Sequence, residues 1–122
     1  MICGVGVDIV NIDRIERVAR NESFRARIFT AREIAYAAGR AHAPEVYAGL
    51  FAVKEAVAKA LGTGISGFAL TDIETLHSEH GGPRAVLHGG AAERMRALHA
   101  KNAHISVSHD GGLAVAFAVL EG

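Results

Sequence analysis

The run from Phe51 to Gly64, F-A-V-K-E-A-V-A-K-A-L-G-T-G, constrains the fold more than any other part of the chain. Val46, Leu50, Val53, Val57 and Leu61 recur at steps of three and four. That spacing predicts a helix from about Pro44 to Leu61 with one buried stripe. Glu55 lies roughly opposite the stripe, on a face shared with Ala48, Phe51, Ala52, Lys59 and Gly62. A carboxylate and an ammonium one turn apart among small residues leave room for something to approach. Charge in an apolar setting needs a partner, because uncompensated charge is costly at low dielectric. The plainer reading is a solvated i,i+4 ion pair, worth about 0.2–0.5 kcal/mol.

The beginning of the chain, M-I-C-G-V-G-V-D-I-V-N-I, is dense in β-branched residues and predicts a central strand. Asp8 sits inside this run, between Val7 and Ile9. Aspartate is disfavoured in strands and seldom buried alone. Asp8 either caps a turn before a helix starting near Ile12 or serves as a metal ligand. Mg²⁺ is usually held by one or two carboxylates together with phosphate oxygens and water. A strand Asp8 meeting a helix Glu55 would make such a site.

The remaining elements read more coarsely. Thr30 and Glu33 form a capping-box pattern, so a short helix is predicted from Ala31. Asp72–Leu76 and Arg84–His88 read as strands around a Gly81-Gly82-Pro83 turn. Gly90–Ala100 reads as a helix, and Ala103–Ser108 and Leu113–Leu120 as strands across Asp110-Gly111-Gly112. Gly62 to Gly67 matches G-x-G-x-x-G but follows a helix, not a strand, so the dinucleotide-binding context is wrong. It reads as a helix stop and glycine loop whose N–H groups can face phosphate.

At 122 residues, half of them hydrophobic, the chain suits one domain, 1–122. Its single cysteine, Cys3, permits no intrachain disulfide and reads as a core residue. No apolar stretch is long enough to span a bilayer, and no basic region precedes the first apolar run. The expectation is a cytoplasmic protein without a membrane partner. Net charge is zero, which argues against a nucleic-acid footprint. Charge is nevertheless uneven. Six arginines and three acids lie between Asp13 and Arg32, with no lysine. Ile12, Ile15, Val18 and Ala19 give that segment an apolar face and leave Arg14, Arg17 and Arg20 projecting outward, as a solvated face or as a surface for acidic groups. His77 and His80, beside the glycine turn, fit an exposed loop better than a metal site. His104, Ser106 and Ser108 alternate along a strand and face one way.

Four blocks, G-V-G-V-D-I-V, F-T-x-x-E, F-A-V-K-E-A-x-x-K-A-L-G-T-G and H-I-S-V-S-H-D, resemble those of the holo-[acyl-carrier-protein] synthases, the short phosphopantetheinyl transferases. The resemblance runs from Ile2 to Glu121. It implies a small α+β domain of the 4'-phosphopantetheinyl transferase fold, with a long buried helix on an antiparallel sheet. It also implies a homotrimer with sites between subunits. The implied reaction moves 4'-phosphopantetheine from coenzyme A to a serine of an apo acyl carrier protein, serving fatty acid or polyketide synthesis. Adenosine 3',5'-bisphosphate is released. Asp8 and Glu55 would hold Mg²⁺, and Lys59 would meet phosphate oxygens. Gly62, Gly64, Pro83, Ser106, Ser108, His109 and Asp110 would lie against coenzyme A. Glu55 and His109 are the candidate general bases, and Arg14, Arg17 and Arg20 would dock the acidic carrier. Many relatives carry arginine where this chain has Leu50, which completes the apolar stripe here and removes one cation. A different phosphate-transfer enzyme using Asp8, Glu55 and Lys59, or a non-catalytic module binding carrier or coenzyme A, are the alternative readings.

Overall fold

The computed structural model describes residues 1–80 and 82–122. Five strands and five helices follow in the order β1 (Ile2–Asn11), α1 (Ile12–Ala19), α2 (Glu22–Ile28), α3 (Ala31–Ala38), α4 (Ala43–Ala60), β2 (Ile73–His77), β3 (Pro83–Leu87), α5 (Gly89–Ala97), β4 (Asn102–Asp110) and β5 (Leu113–Glu121). Strands β1, β5 and β4 form one antiparallel sheet in that order, and β2 pairs with β3 in a second. Helix α4 lies on the inner face of the larger sheet, as its apolar periodicity predicts. Leu50, Val53, Val57 and Leu61 are all buried.

The contact between α4 and the sheet is narrow because its residues are small. Ala114, Ala116 and Ala118 of β5 are fully buried beneath the helix, opposite Ala52 and Ala56. On β1, Gly4 and Gly6 face the same helix. A Cβ on Gly4 would run into the Ala60 carbonyl, and one on Gly6 into the Ala56 carbonyl. Only glycine lets the two backbones come this close. The small residues around Glu55 therefore receive the chain's own first strand.

The expected central position of β1 is not observed: it is an edge strand. Its β-branched side chains Val5, Val7 and Ile9 point away from α4 and are 66%, 44% and 58% exposed. Phe117, opposite Val7 on β5, is 56% exposed on the same outer face. Cross-strand register sets Ser106 beside Phe117 and Ser108 beside Val115. His104, Ser106 and Ser108 thus share the outer face, as their alternation predicts.

Helix α1 is capped by Asn11, whose side chain accepts from the Arg14 amide at 3.1 Å, so the cap is Asn11 and not Asp8. Ile12, Ile15 and Ala19 are buried, while Arg14, Arg17 and Arg20 are exposed. A separate helix, α2, follows after an Asn21 cap, which coarse periodicity did not distinguish. The capping box of α3 forms with both its hydrogen bonds, Glu33 amide to Thr30 Oγ1 and Thr30 amide to Glu33 Oε1. His80 is exposed. His77, placed in a loop by sequence reading, instead ends β2 and stacks on Tyr36 with ring centroids 3.9 Å apart. In the turn expected at Gly81-Gly82-Pro83, Gly81 lies outside the described residues, and Pro83 opens β3.

Candidate active site

Asp8 and α4 meet because Gly4, Gly6 and Asp8 share the inward face of β1. The two glycines set the helix against the strand, and the next inward residue is the carboxylate. Lys59 Nζ donates to Asp8 Oδ1 at 3.1 Å and to the Val7 carbonyl at 3.0 Å. The Lys59 side chain is 55% exposed and that of Asp8 only 16%. The i,i+4 pair between Glu55 and Lys59, the plainer of the two sequence readings, does not form, because the strand takes the lysine.

That leaves Glu55 without a hydrogen bond or ion pair among the described residues. Its carboxyl is pushed above the usual carboxylate range, first by burial and then by repulsion from Asp8, with Lys59 pulling the other way. Two carboxylates near each other with one shared cation form a site that accepts more positive charge. No group of three or more His, Cys, Asp or Glu side chains suited to a metal exists among the described residues. A pair suffices for Mg²⁺, which keeps several waters or phosphate oxygens in its shell. The donor set fits that ion. Just beyond Lys59 the helix stops, and Gly62 and Gly64 continue in left-handed backbone, with φ of 80° and 59°.

The other sequence-predicted residues fall elsewhere. His109 and Pro83 line a cavity on the opposite flank of α4, together with Tyr36, Glu45, Leu50 and His77. His109 Nε2 stands 3.8 Å from Glu45 Oε2. Leu50 is 3% exposed and lends this cavity an uncharged wall. Ser106 and Ser108 lie on the outer sheet face, and Asp110 is exposed at the end of β4. Within one chain the structure joins Asp8, Glu55 and Lys59, joins Pro83 with His109, and leaves these two groups on opposite sides of the helix. Beside Asp8, a groove bounded by Ile9, Arg14, Val18, Phe24 and Phe51 runs toward the arginine face of α1.

Sequence reading missed the role of Lys54. Its side chain is fully buried, 2.8 Å from Glu33 Oε1, and donates to the Leu70 and Ile73 carbonyls at 3.0 and 2.5 Å. Lys54 stands next to Glu55 but points the other way, fastening α4 to the start of β2. Its position in the apolar stripe, one residue after Val53, was the available signal.

Comparison with known proteins agrees with this arrangement. A family model described as the 4'-phosphopantetheinyl transferase superfamily matches residues 4–118. A holo-[acyl-carrier-protein] synthase from Clostridium perfringens is 47% identical over 127 aligned residues, covering 100% of this chain and 96% of the relative. Among solved structures, the holo-[acyl-carrier-protein] synthase of Neisseria meningitidis superposes with a TM-score of 0.90 at 30% identity, covering 100% of both chains. That of Bacillus anthracis, in complex with CoA (3',5'-ADP), gives 0.82 at 36% identity, covering 99% of this chain and 97% of the other. With the family model matching residues 4–118, a relative 47% identical over the whole chain and the fold shared with solved structures, this chain belongs to the 4'-phosphopantetheinyl transferase superfamily.

Proposed function

We propose that the protein transfers 4'-phosphopantetheine from coenzyme A to a serine of an apo acyl carrier protein, releasing adenosine 3',5'-bisphosphate. The observation that carries this reading is the cluster of Asp8, Lys59 and the unpartnered Glu55 at the close contact of β1 and α4. The relatives' shared activity and the coenzyme bound to the Bacillus anthracis protein support it.

In this reading Asp8 and Glu55 would hold Mg²⁺, and the ion would supply positive charge to offset that of a pyrophosphate. The Lys59 ammonium, half exposed beside Asp8, would meet phosphate oxygens. The Gly62 N–H is committed to the Lys59 carbonyl at 3.0 Å, so in this reading Gly64 is the loop glycine whose N–H can meet a phosphate oxygen. Of the two candidate bases, Glu55 alone stands beside Asp8 in one chain, so His109 would come from a neighbouring copy. The separation of the Pro83–His109 cavity from the carboxylates supports a site shared between subunits. So does the exposed apolar face of Val5, Val7, Ile9 and Phe117, because monomers rarely leave such a patch uncovered. A homotrimer burying that face also sets Ser106 and Ser108 between subunits, near coenzyme A with Asp110. The groove at Val18, Phe24 and Phe51, lined by Arg14 and with exposed Arg17 and Arg20 on the same helix, the latter paired with Glu16 at 3.3 Å, suits an acidic amphipathic helix of the carrier. No helix of the described residues is long and apolar enough to cross a membrane, and we place the reaction in the cytoplasm.

Mass spectrometry of an apo carrier incubated with this protein, coenzyme A and Mg²⁺ tests the reading. The expected result is a mass gain of one phosphopantetheine with adenosine 3',5'-bisphosphate released. Release of the nucleotide without carrier modification would instead assign a different phosphate-transfer reaction. No change in either molecule would leave a binding module.

A further inference from the structure

A second cleft opens at the other end of the larger sheet, between β3, α5 and the first residues of β4, with a volume of about 600 Å³. That size lies within the range of small-molecule sites. Its floor is aliphatic: Ala85, Leu87, Met95 and Ala103 pack against the main core yet are only partly buried, so the cleft leaves core carbon open to water. Its rim is cationic. Arg84, Arg96 and Lys101 are exposed, and none has a carboxylate within 4.0 Å among the described residues. The Glu121 carboxylate is held by His104, also on the rim, at 3.0 Å.

An empty cleft of this kind is unfavourable twice. Like charges repel across the rim, and the aliphatic floor stays hydrated. A ligand with an anionic head and an aliphatic chain relieves both at once. A nucleotide fits less well, because bases are held by stacking and no Phe, Tyr or Trp lines the cleft. Asp8, Glu55, Lys59, Pro83 and His109 are absent from its walls, so it is separate from the catalytic cluster and from the His109 cavity. We propose that this cleft binds an acyl chain ending in a carboxylate or phosphate, its head paired with the rim cations and its chain laid over Leu87, Met95 and Ala103.

Amide NMR titration of the full chain with decanoate, decyl phosphate and uncharged 1-decanol tests this. Saturable shifts at Leu87, Met95 and Ala103 are expected for the two anions, with 1-decanol at least ten-fold weaker. The more tightly bound anion identifies the head group. The double variant Arg96→Glu with Lys101→Glu changes only exposed side chains, so its spectrum elsewhere should match the parent. Its affinity for the anions should fall at least ten-fold while coenzyme A binding is unchanged. Absence of saturable shifts in the cleft overturns the proposal. So does equal binding of 1-decanol, or undiminished anion affinity in the double variant.

Discussion

Two lysines five residues apart on α4 make opposite kinds of ion pair. Lys54 and Glu33 are both fully buried. Each Glu33 oxygen also accepts a backbone N–H, from Thr30 and Thr75, both at 2.9 Å. Burial lowers the Lys54 pKa, and the Glu33 charge beside it opposes that shift. Every lone pair and proton that matters is committed inside the protein. Lys59 and Asp8 lie at the surface, and the adjacent Glu55 has no partner at all among the described residues. The closed pair has no spare capacity and holds the helix in place. The open cluster is under-compensated, which costs a little stability and, under the proposed function, is where a cation and a phosphate would bind.

The contrast is broken first at the open cluster. Asp8→Asn and Glu55→Gln should each lower Mg²⁺-dependent turnover by roughly 1,000-fold, about 4 kcal/mol of barrier, with little change in melting temperature. Steady-state kinetics beside a melting curve measures both. Near-normal turnover in either variant removes that carboxylate from the chemistry. Lys54→Met should do the reverse. Removing one member of a buried pair strands the other, at a cost of about 3–5 kcal/mol. Urea denaturation should show that loss, and adding Glu33→Gln should recover part of it by removing the stranded charge. An unchanged denaturation midpoint in the single variant would mean that Lys54 contributes packing alone. A smaller effect is expected at Lys59. Loss of a charged hydrogen-bond donor is worth about 1.5–3 kcal/mol, so Lys59→Ala should cost on the order of 10- to 150-fold in kcat/KM. Coenzyme A affinity should fall while stability holds. Calorimetric binding separates this from a structural role, in which stability would fall and affinity would not.

The open cluster was more legible in the sequence than the closed pair. Asp8 in a β-branched run and Glu55 opposite an apolar stripe are local anomalies, and each can be read without knowing its neighbour. Lys54 carries a local signal in its place on the apolar stripe, but Glu33, 21 residues earlier, reads only as part of a capping box, so nothing local pairs the two. The strand edge was misjudged for a related reason. Alternation shows that β1 has two faces, but its outward Val5, Val7 and Ile9 read as core whether the cover is another layer of this chain or another chain. The two faces of β4 were likewise merged, so His109 was grouped with Ser106 and Ser108, although its odd position turns it to the cavity and theirs to the outside. The long helix, the capping box and the last hairpin were legible because their signals are periodic or lie within a few residues.

The smallest expected effect concerns Glu55 itself and tests whether the open cluster truly lacks compensation. Its folded-state pKa is raised, chiefly by burial and next by Asp8, against a weaker opposing pull from Lys59. A carboxyl that binds its proton more tightly when folded favours the native state at low pH. Stability is then lost as pH rises from the unfolded value through the raised one, because the ionised group is better solvated in the unfolded chain. Glu55→Gln removes that loss, so the variant should melt above the parent at pH 7, with the gap closing near pH 4. Glu55 is partly exposed, so solvent screening keeps the gain below about 1 kcal/mol. Adding Mg²⁺ should raise the melting temperature of the parent more than that of the variant, because the ion supplies the missing charge only where both carboxylates are present. If Glu55→Gln instead melts lower at pH 7, the carboxylate already has a partner in the folded protein, and the two lysines of α4 do not differ in the way described.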